Sequence, residues 1–454
     1  MLSRIVRFII LRLIQLFYPR IEARGEEHVP DQPTLFVLNH PNGLLDALVL
    51  MQALGRHVAF LAKSTFFANP IGRVLMQAFG ALPVYRQRDV GKRGGPPDGA
   101  TNANEATFAG CRALLRTGQP IALFPEGTTH SNTTMLPLRT GAARIALSAE
   151  AEADWKLNLQ IVPVGLWYQK KTQFRSSALV VFGQPFGLTE FKSRYLSDEH
   201  TTVDALTEQI DARLDTVVLQ AENAEILTGI PLVAAWTAPH ELESLEDQHA
   251  RATQLLAAYL RLRTTDPAHL EAIAREARRY ARVLRTLGIK DPWDLELSTA
   301  RRGRIVALAG GLLAGFVPAL AGCALSYFPY RLAAPLTPVL LGKYEETTST
   351  GKLIIGAVLV VLTWLIEAIA IGAVFGPGWG IALLVLAPLL AYIALRWGES
   401  WRELREAAGY AWLTARHKQM VTELVARRRA LTEQVAEAVH MADSMSAGVE
   451  GSKI

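Results

Sequence analysis

The stretch Leu353–Phe375 restricts the possible architectures more than any other feature of the chain. It is apolar except for Glu367 and a few small or amphipathic residues, and it is long enough to span a bilayer. Ile381–Leu395 is shorter and follows across a tight GPGWG turn, so the two predict a transmembrane hairpin. Upstream, Ile305–Leu341 is also hydrophobic but holds Pro318, Pro329, Pro335, Pro338 and Arg331. It reads as two short crossings or a re-entrant pair. Arg301, Arg302 and Arg304 precede this block, and Arg396, Arg402 and Arg405 follow it. Basic flanks favour the cytoplasm, so an even number of crossings, as in two hairpins, satisfies both ends. The clustering and length of these segments count against buried helices of a soluble protein.

The rest of the chain is not lipid-like. Hydrophobic residues make up 50% of the whole, but charged residues are still 20%, which calls for substantial water-exposed parts. The net charge of +5 and a pI near 9.2 suit an anionic partner such as a phosphate-bearing substrate or an acidic bilayer surface. A nucleic-acid partner would need an aromatic-basic module, and none is present. The two cysteines, Cys111 and Cys323, lie in very different segments. That argues against a disulfide framework or a cysteine-based metal site and fits a reducing, cytoplasmic face.

The first 20 residues resemble a signal peptide only superficially. Arg7 and Arg12 interrupt the apolar run, and no small-x-small cleavage site follows. On a helical wheel Ser3, Arg4, Arg7, Arg12 and Gln15 gather on one side, and Ile5, Ile9, Leu13, Leu16 and Phe17 largely on the other. Such a helix either lies in a membrane interface or packs on its own domain.

Residues 21–190 alternate short apolar runs, TLFVLNH, IALFPEG, LQIVPVGLWY and ALVVFGQPF, with helical stretches such as Asn104–Leu115 and Gly141–Ala149. This predicts an α/β sheet domain with functional residues where strands run out into loops. Val90–Ala100, rich in Gly and Pro, reads as a mobile loop. Residues 191–298 read as a charged helical module without a catalytic signature, and residues 299–398 as the transmembrane region. Residues 399–454 read as an amphipathic helix, Glu399–His440, and a tail.

Four stretches carry chemistry. In VLNHPNGLLD, His40 follows a strand, Pro-Asn-Gly turns the chain, and Asp46 is the first acid beyond it. A histidine near its ordinary pKa takes a proton from an alcohol at neutral pH, and a carboxylate beside it fixes the tautomer and stabilises the imidazolium. In FGALPVYRQR, Arg86 and Arg88 offer planar, bidentate donors suited to phosphate, although two arginines alone are more often a solvated strand end. LFPEGTTHS reads either as a loop, Glu126–Gly127–Thr128, that cradles a phosphate, with Gly127 permitting close approach, or as an ordinary strand-to-loop turn. In IVPVGL, Pro163 shapes either an acyl channel or plain core.

Together and in this order, these blocks resemble the glycerophosphate/lysophosphatidate acyltransferase superfamily, the PlsC-like family. That family pairs a His–Asp motif with Gly-x5-Arg, Phe-Pro-Glu-Gly-Thr and Val-Pro-Val blocks. Here these are His40/Asp46, Gly80–Arg86, Phe124–Thr128 and Val162–Val164, flanked by IEARGEEHVP, FLAKSTFF and FGQPF, over roughly residues 20–190. His40 and Asp46 are separated by five residues where four is usual. The longer spacing resembles a branch of glycerol-3-phosphate and dihydroxyacetone-phosphate acyltransferases with membrane segments after the catalytic domain.

The resemblance implies a mixed-sheet acyltransferase domain, followed by a helical module and C-terminal transmembrane helices. It also implies His40 as base, Asp46 as its orienting partner, and phosphate contacts from Arg86 and Glu126–Gly127–Thr128, with Arg88 and Lys63 as further candidates. An acyl thioester, on coenzyme A or acyl carrier protein, is then the donor; no other cofactor and no metal is required. The acceptor implied is glycerol 3-phosphate, with lysophosphatidate or another lysophospholipid as the alternative. A non-catalytic membrane lipid-binding protein is the alternative of another class. No G-x-S-x-G elbow, Walker A loop or dinucleotide fingerprint is present.

Overall fold

The computed structural model describes residues 2–68, 70–86, 100–238, 244–289, 299–342 and 345–450. The Gly/Pro-rich segment at 90–100 lies almost wholly outside the described residues, and so does Arg88. The chain divides into two compact units, one formed by residues up to Asn223 with Pro338–Leu353, the other by Ala224–Thr337 with Ile354–Ile454.

The first unit opens with helix α1 (Leu2–Phe17). Strands follow at β1 (Arg20–Arg24), β2 (Thr34–Leu38), β3 (Ala59–Lys63), β4 (Leu82–Val84) and β5 (Ile121–Leu123), then β6 (Gln160–Tyr168), β7 (Ser177–Phe182) and β8 (Phe186–Gly187). The intervening helices are α2 (Leu44–Leu54), α3 (Pro70–Ala78), α4 (Ala100–Arg116) and α5 (Gly141–Glu152), with α6 (Lys192–Ser197) and α7 (Glu199–Asp215) after β8. Among the described residues the strands form one mixed sheet, ordered β1-β7-β6-β2-β5-β3-β4, with β8 beside β6. The run β6-β2-β5-β3-β4 is parallel throughout, while β6 meets β7 and β8 antiparallel. Strand β2 is buried along its whole length, which explains why TLFVL is continuously apolar rather than alternating.

Helix α1 packs Val6, Ile10, Leu13, Ile14 and Phe17 toward the core, yet leaves Ile5, Phe8 and Ile9 exposed beside Arg4 and Arg12. The sheet unit also extends past residue 190, because α7 packs against α5, β2 and β6 and belongs with them.

In the second unit, α8 (Ala224–Trp236), α9 (Leu245–Thr265) and α10 (Pro267–Leu287) precede α11 (Thr299–Ala314) and α12 (Phe316–Leu341). Helix α13 (Glu345–Phe375) begins in the sheet unit and continues into the second, followed by α14 (Pro377–Arg416) and α15 (Lys418–Glu450). Among the described residues, Thr348–Phe375 and Pro377–Arg416 are each long and apolar enough to cross a membrane. The pair α11 and α12 reaches that apolarity only together and bends by 65°. Trp364 Nε1 donates to Ser326 Oγ at 3.1 Å, and Trp397 Nε1 to the Leu312 carbonyl at 2.8 Å.

The amphipathic stretch Glu399–His440 is not one helix, as its spacing predicts. Its first part continues α14, and the chain breaks at His417 before α15. The break lets α15 lie against α9 and α10, where Leu424, Leu431 and Val435 become buried.

Gly165, in the middle of β6, faces the chain just after α7: a Cβ there would lie 1.9 Å from the Val217 carbonyl oxygen. Gly165→Ala is therefore expected to destabilise the sheet unit by roughly 3 kcal/mol, read as a lower thermal midpoint of the purified protein.

Candidate active site

The parallel run of strands places five C-terminal ends on one edge of the sheet, where ligands of open α/β sheets bind. His40 follows β2, Glu126 follows β5, Lys63 ends β3, Arg86 follows β4 and Tyr168 ends β6. Local sequence decides what happens next on β2. Asn39 pairs with the Leu166 backbone of β6 on both sides, its Nδ2 donating at 3.2 Å and its Oδ1 accepting at 2.8 Å. The strand end is thus pinned one residue before His40.

Pro41-Asn42-Gly43 then reverses the chain into α2, with Gly43 at a φ of 64°. This turn brings Asp46, in the first turn of α2, beneath the histidine: His40 Nδ1 lies 2.9 Å from Asp46 Oδ2. The same Oδ2 accepts the Asn42 N–H at 2.8 Å, and Oδ1 accepts the Tyr168 hydroxyl at 2.7 Å. Asp46 is completely buried, so these donors and the positive end of α2 replace the water it has lost. With Nδ1–H given to the carboxylate, a neutral ring presents the Nε2 lone pair outward. Phe124 stacks on the imidazole, ring centroids 4.0 Å apart, and limits its rotation.

A second buried carboxylate sits on the neighbouring strand end. Glu126 Oε1 accepts the His40 backbone N–H at 3.1 Å, and Oε2 accepts the Leu136 N–H at 2.8 Å and the Nε2–H of His130. Both oxygens therefore point into the fold, and Glu126 ties the β5 loop to the residue that carries the imidazole. Gly127 adopts a φ of 69° and leaves room for Arg139, whose Nε would be 2.5 Å from a Cβ at this position. The Arg139 side chain is exposed beside the Gly127–Thr128 backbone.

The structure thus joins His40, Asp46 and Glu126 directly and places Gly127 and Thr128 in the adjoining loop. Lys63 and Arg86 lie on the same edge but two and three strands away from β2, roughly 10 and 14 Å by the usual strand spacing.

Sequence reading missed Tyr168, Asn42, Tyr18, His130 and Arg139. Asn42 Nδ2 donates at 2.8 Å to the hydroxyl of Tyr18, which itself donates to the Lys171 carbonyl. A polar ring tip ending the apolar strand LQIVPVGLWY was the available signal for Tyr168, but it points to Asp46 only once β6 is known to lie beside β2.

Burial raises the pKa of both hydroxyls, and for Tyr168 the nearby Asp46 charge raises it further. Because the folded values lie above the unfolded ones, this contribution to stability is complete at neutral pH and is lost as pH rises past the ordinary tyrosine range.

Residues 20–167 match the model of the acyltransferase family. Glycerol-3-phosphate O-acyltransferase 2 of Saccharomyces cerevisiae is 29% identical over 205 residues, covering 44% of this chain and 26% of that protein. Human 1-acyl-sn-glycerol-3-phosphate acyltransferase alpha is 32% identical over 149 residues, covering 32% of this chain and 48% of the relative. The crystal structure of the 1-acyl-sn-glycerophosphate (LPA) acyltransferase PlsC from Thermotoga maritima aligns at 16% identity and a TM-score of 0.30, over 45% of this chain and 79% of that one. The chain spans less than half the length of the curated relatives it matches.

Replacing Glu126 by Gln leaves one acceptor oxygen for three donors and is expected to cost about 2 kcal/mol, measured by thermal unfolding. Spectrophotometric titration is expected to show Tyr18 and Tyr168 ionising only as the fold opens at alkaline pH.

Proposed function

We propose that the protein is a membrane-bound O-acyltransferase that moves a fatty acyl group from an acyl thioester to a hydroxyl of glycerol 3-phosphate, a step of phospholipid synthesis. The observation that carries this reading is the chain Tyr168–Asp46–His40, which leaves Nε2 of a partly buried, oriented imidazole at the open edge of the sheet. His40 Nε2 takes the proton of the acceptor hydroxyl as its oxygen attacks the thioester carbonyl. The tetrahedral intermediate collapses with cleavage of the carbon–sulfur bond, and the imidazolium returns the proton to the departing thiolate. Ester and free thiol are the products, and Asp46 stabilises the imidazolium between the two transfers.

The Gly127–Thr128 backbone, Arg139 and Arg86 hold the acceptor phosphate, with Lys63 on the same edge and Arg88 as a further candidate from the sequence. Glu126 acts through the backbone it holds rather than on the phosphate. The donor is acyl coenzyme A or acyl carrier protein. The catalytic unit lies on the cytoplasmic side of a multi-pass membrane anchor, in keeping with arginines at both ends of the apolar block. The names of the yeast relatives favour glycerol 3-phosphate as acceptor. The human relative, at 32% identity, supports lysophosphatidate as the second reading.

Purified protein offered glycerol 3-phosphate and lysophosphatidate side by side, with each donor, is expected to acylate glycerol 3-phosphate faster. Acylation of the lysolipid alone would select the second reading. His40→Ala is expected to lower turnover by about a thousandfold or more while the protein still fractionates with membranes, and undiminished turnover would refute the mechanism.

A further inference from the structure

A second site lies away from the catalytic edge, between α1 and the C-terminal end of α2. There a cleft of about 380 Å³ is lined by Arg7, Arg12 and Arg56, with Phe8, Leu11 and Gln52 among its other walls. That volume falls within the range of small-molecule sites, roughly 300–1,000 Å³. No carboxylate lines it. Arg12 donates to Gln15 at 2.7 Å and stands over the Phe8 ring, while the Arg56 guanidinium stands 5.9 Å from the centre of the Phe36 ring. None of the three arginines is paired with an acid among the described residues. His57 at the back of the cleft is held below its ordinary pKa by burial and by Arg7, and its Nε2 is engaged 3.0 Å from the Phe79 carbonyl. The cleft charge therefore belongs to the guanidinium groups.

The surroundings say what kind of anion fits. The rim of α1 exposes Ile5, Phe8 and Ile9, and α3, which packs beside α1, exposes Val74 with Phe66 just before it. A free phosphate ester has no use for that apolar rim, whereas a phospholipid has both a phosphate for the arginines and an acyl chain for the rim.

We infer that this cleft binds the headgroup phosphate of an anionic phospholipid and seats the α1 face of the catalytic unit on an anionic bilayer. The site is separate from acyl transfer and does not depend on it. Full-length protein in neutral detergent, incubated with mixed micelles of phosphatidylcholine and phosphatidylglycerol, is assayed for retained lipid by native mass spectrometry. Wild type is expected to retain phosphatidylglycerol preferentially, and Arg7→Gln, Arg12→Gln and Arg56→Gln to weaken that preference by roughly fivefold for each arginine removed. Gln52→Glu, which adds a carboxylate to the cleft without altering the helix, is expected to weaken it as well, while Arg194→Gln on an exposed helix leaves it unchanged. Unaltered retention in the arginine variants and in Gln52→Glu overturns the proposal. Loss of phosphatidylglycerol from wild type on adding millimolar inorganic phosphate also overturns it, because the cleft would then be a site for soluble anions.

Discussion

A carboxylate with no exposure to water, Asp46, is the group around which this edge of the sheet is organised. An isolated ionised carboxyl in such a place costs several kcal/mol. It is tolerated because the imidazole of His40, the Asn42 N–H and the Tyr168 hydroxyl all converge on it at the start of α2. Each donor reaches Asp46 from a different element: the turn after β2, the entry to α2 and the end of β6. The same contacts that make the charge bearable also fix the imidazole ring, so stability and pre-organisation come from one set of hydrogen bonds.

Glu126 does comparable work one strand away. Its oxygens accept from the His40 backbone, the Leu136 backbone and His130, so the loop after β5 cannot move without disturbing the residue that carries the imidazole. The two buried acids divide the task, Asp46 orienting the side chain of His40 and Glu126 its main chain. Under the acyl-transfer reading, that leaves the Gly127–Thr128 backbone and nearby basic groups to meet the acceptor.

Much of this was legible beforehand. An apolar run ending in His, a three-residue turn and a first acid predict Asp46 as the partner, because a tight turn into a helix leaves few other places for the first carboxylate. The strands bearing His40 and Glu126 were equally readable, since buried parallel strands are written as unbroken apolar runs. Glu126 itself was harder. A Pro-Glu-Gly-Thr loop looks the same in sequence whether its acid faces a ligand or the interior, and the partners that turn it inward, Leu136 and His130, interact through folding rather than through any pattern. The far helices posed the reverse problem: the amphipathic period of Glu399–His440 is continuous, and only packing on α9 and α10 accounts for the break at His417.

The sequence by itself determined the elements and the chemistry available at their ends: an α/β domain, apolar helices long enough for a bilayer, a histidine with a carboxylate in reach, and a basic amphipathic helix at the start. These follow from local periodicity, side-chain volume and short-range spacing. Only the tertiary structure decided that β6 lies beside β2 and brings Tyr168 to Asp46, that Glu126 looks inward, and that Arg7, Arg12 and Arg56 face one cleft. Strand order and helix docking are set by long-range burial, and no spacing along the chain encodes which distant side chains that burial will bring together.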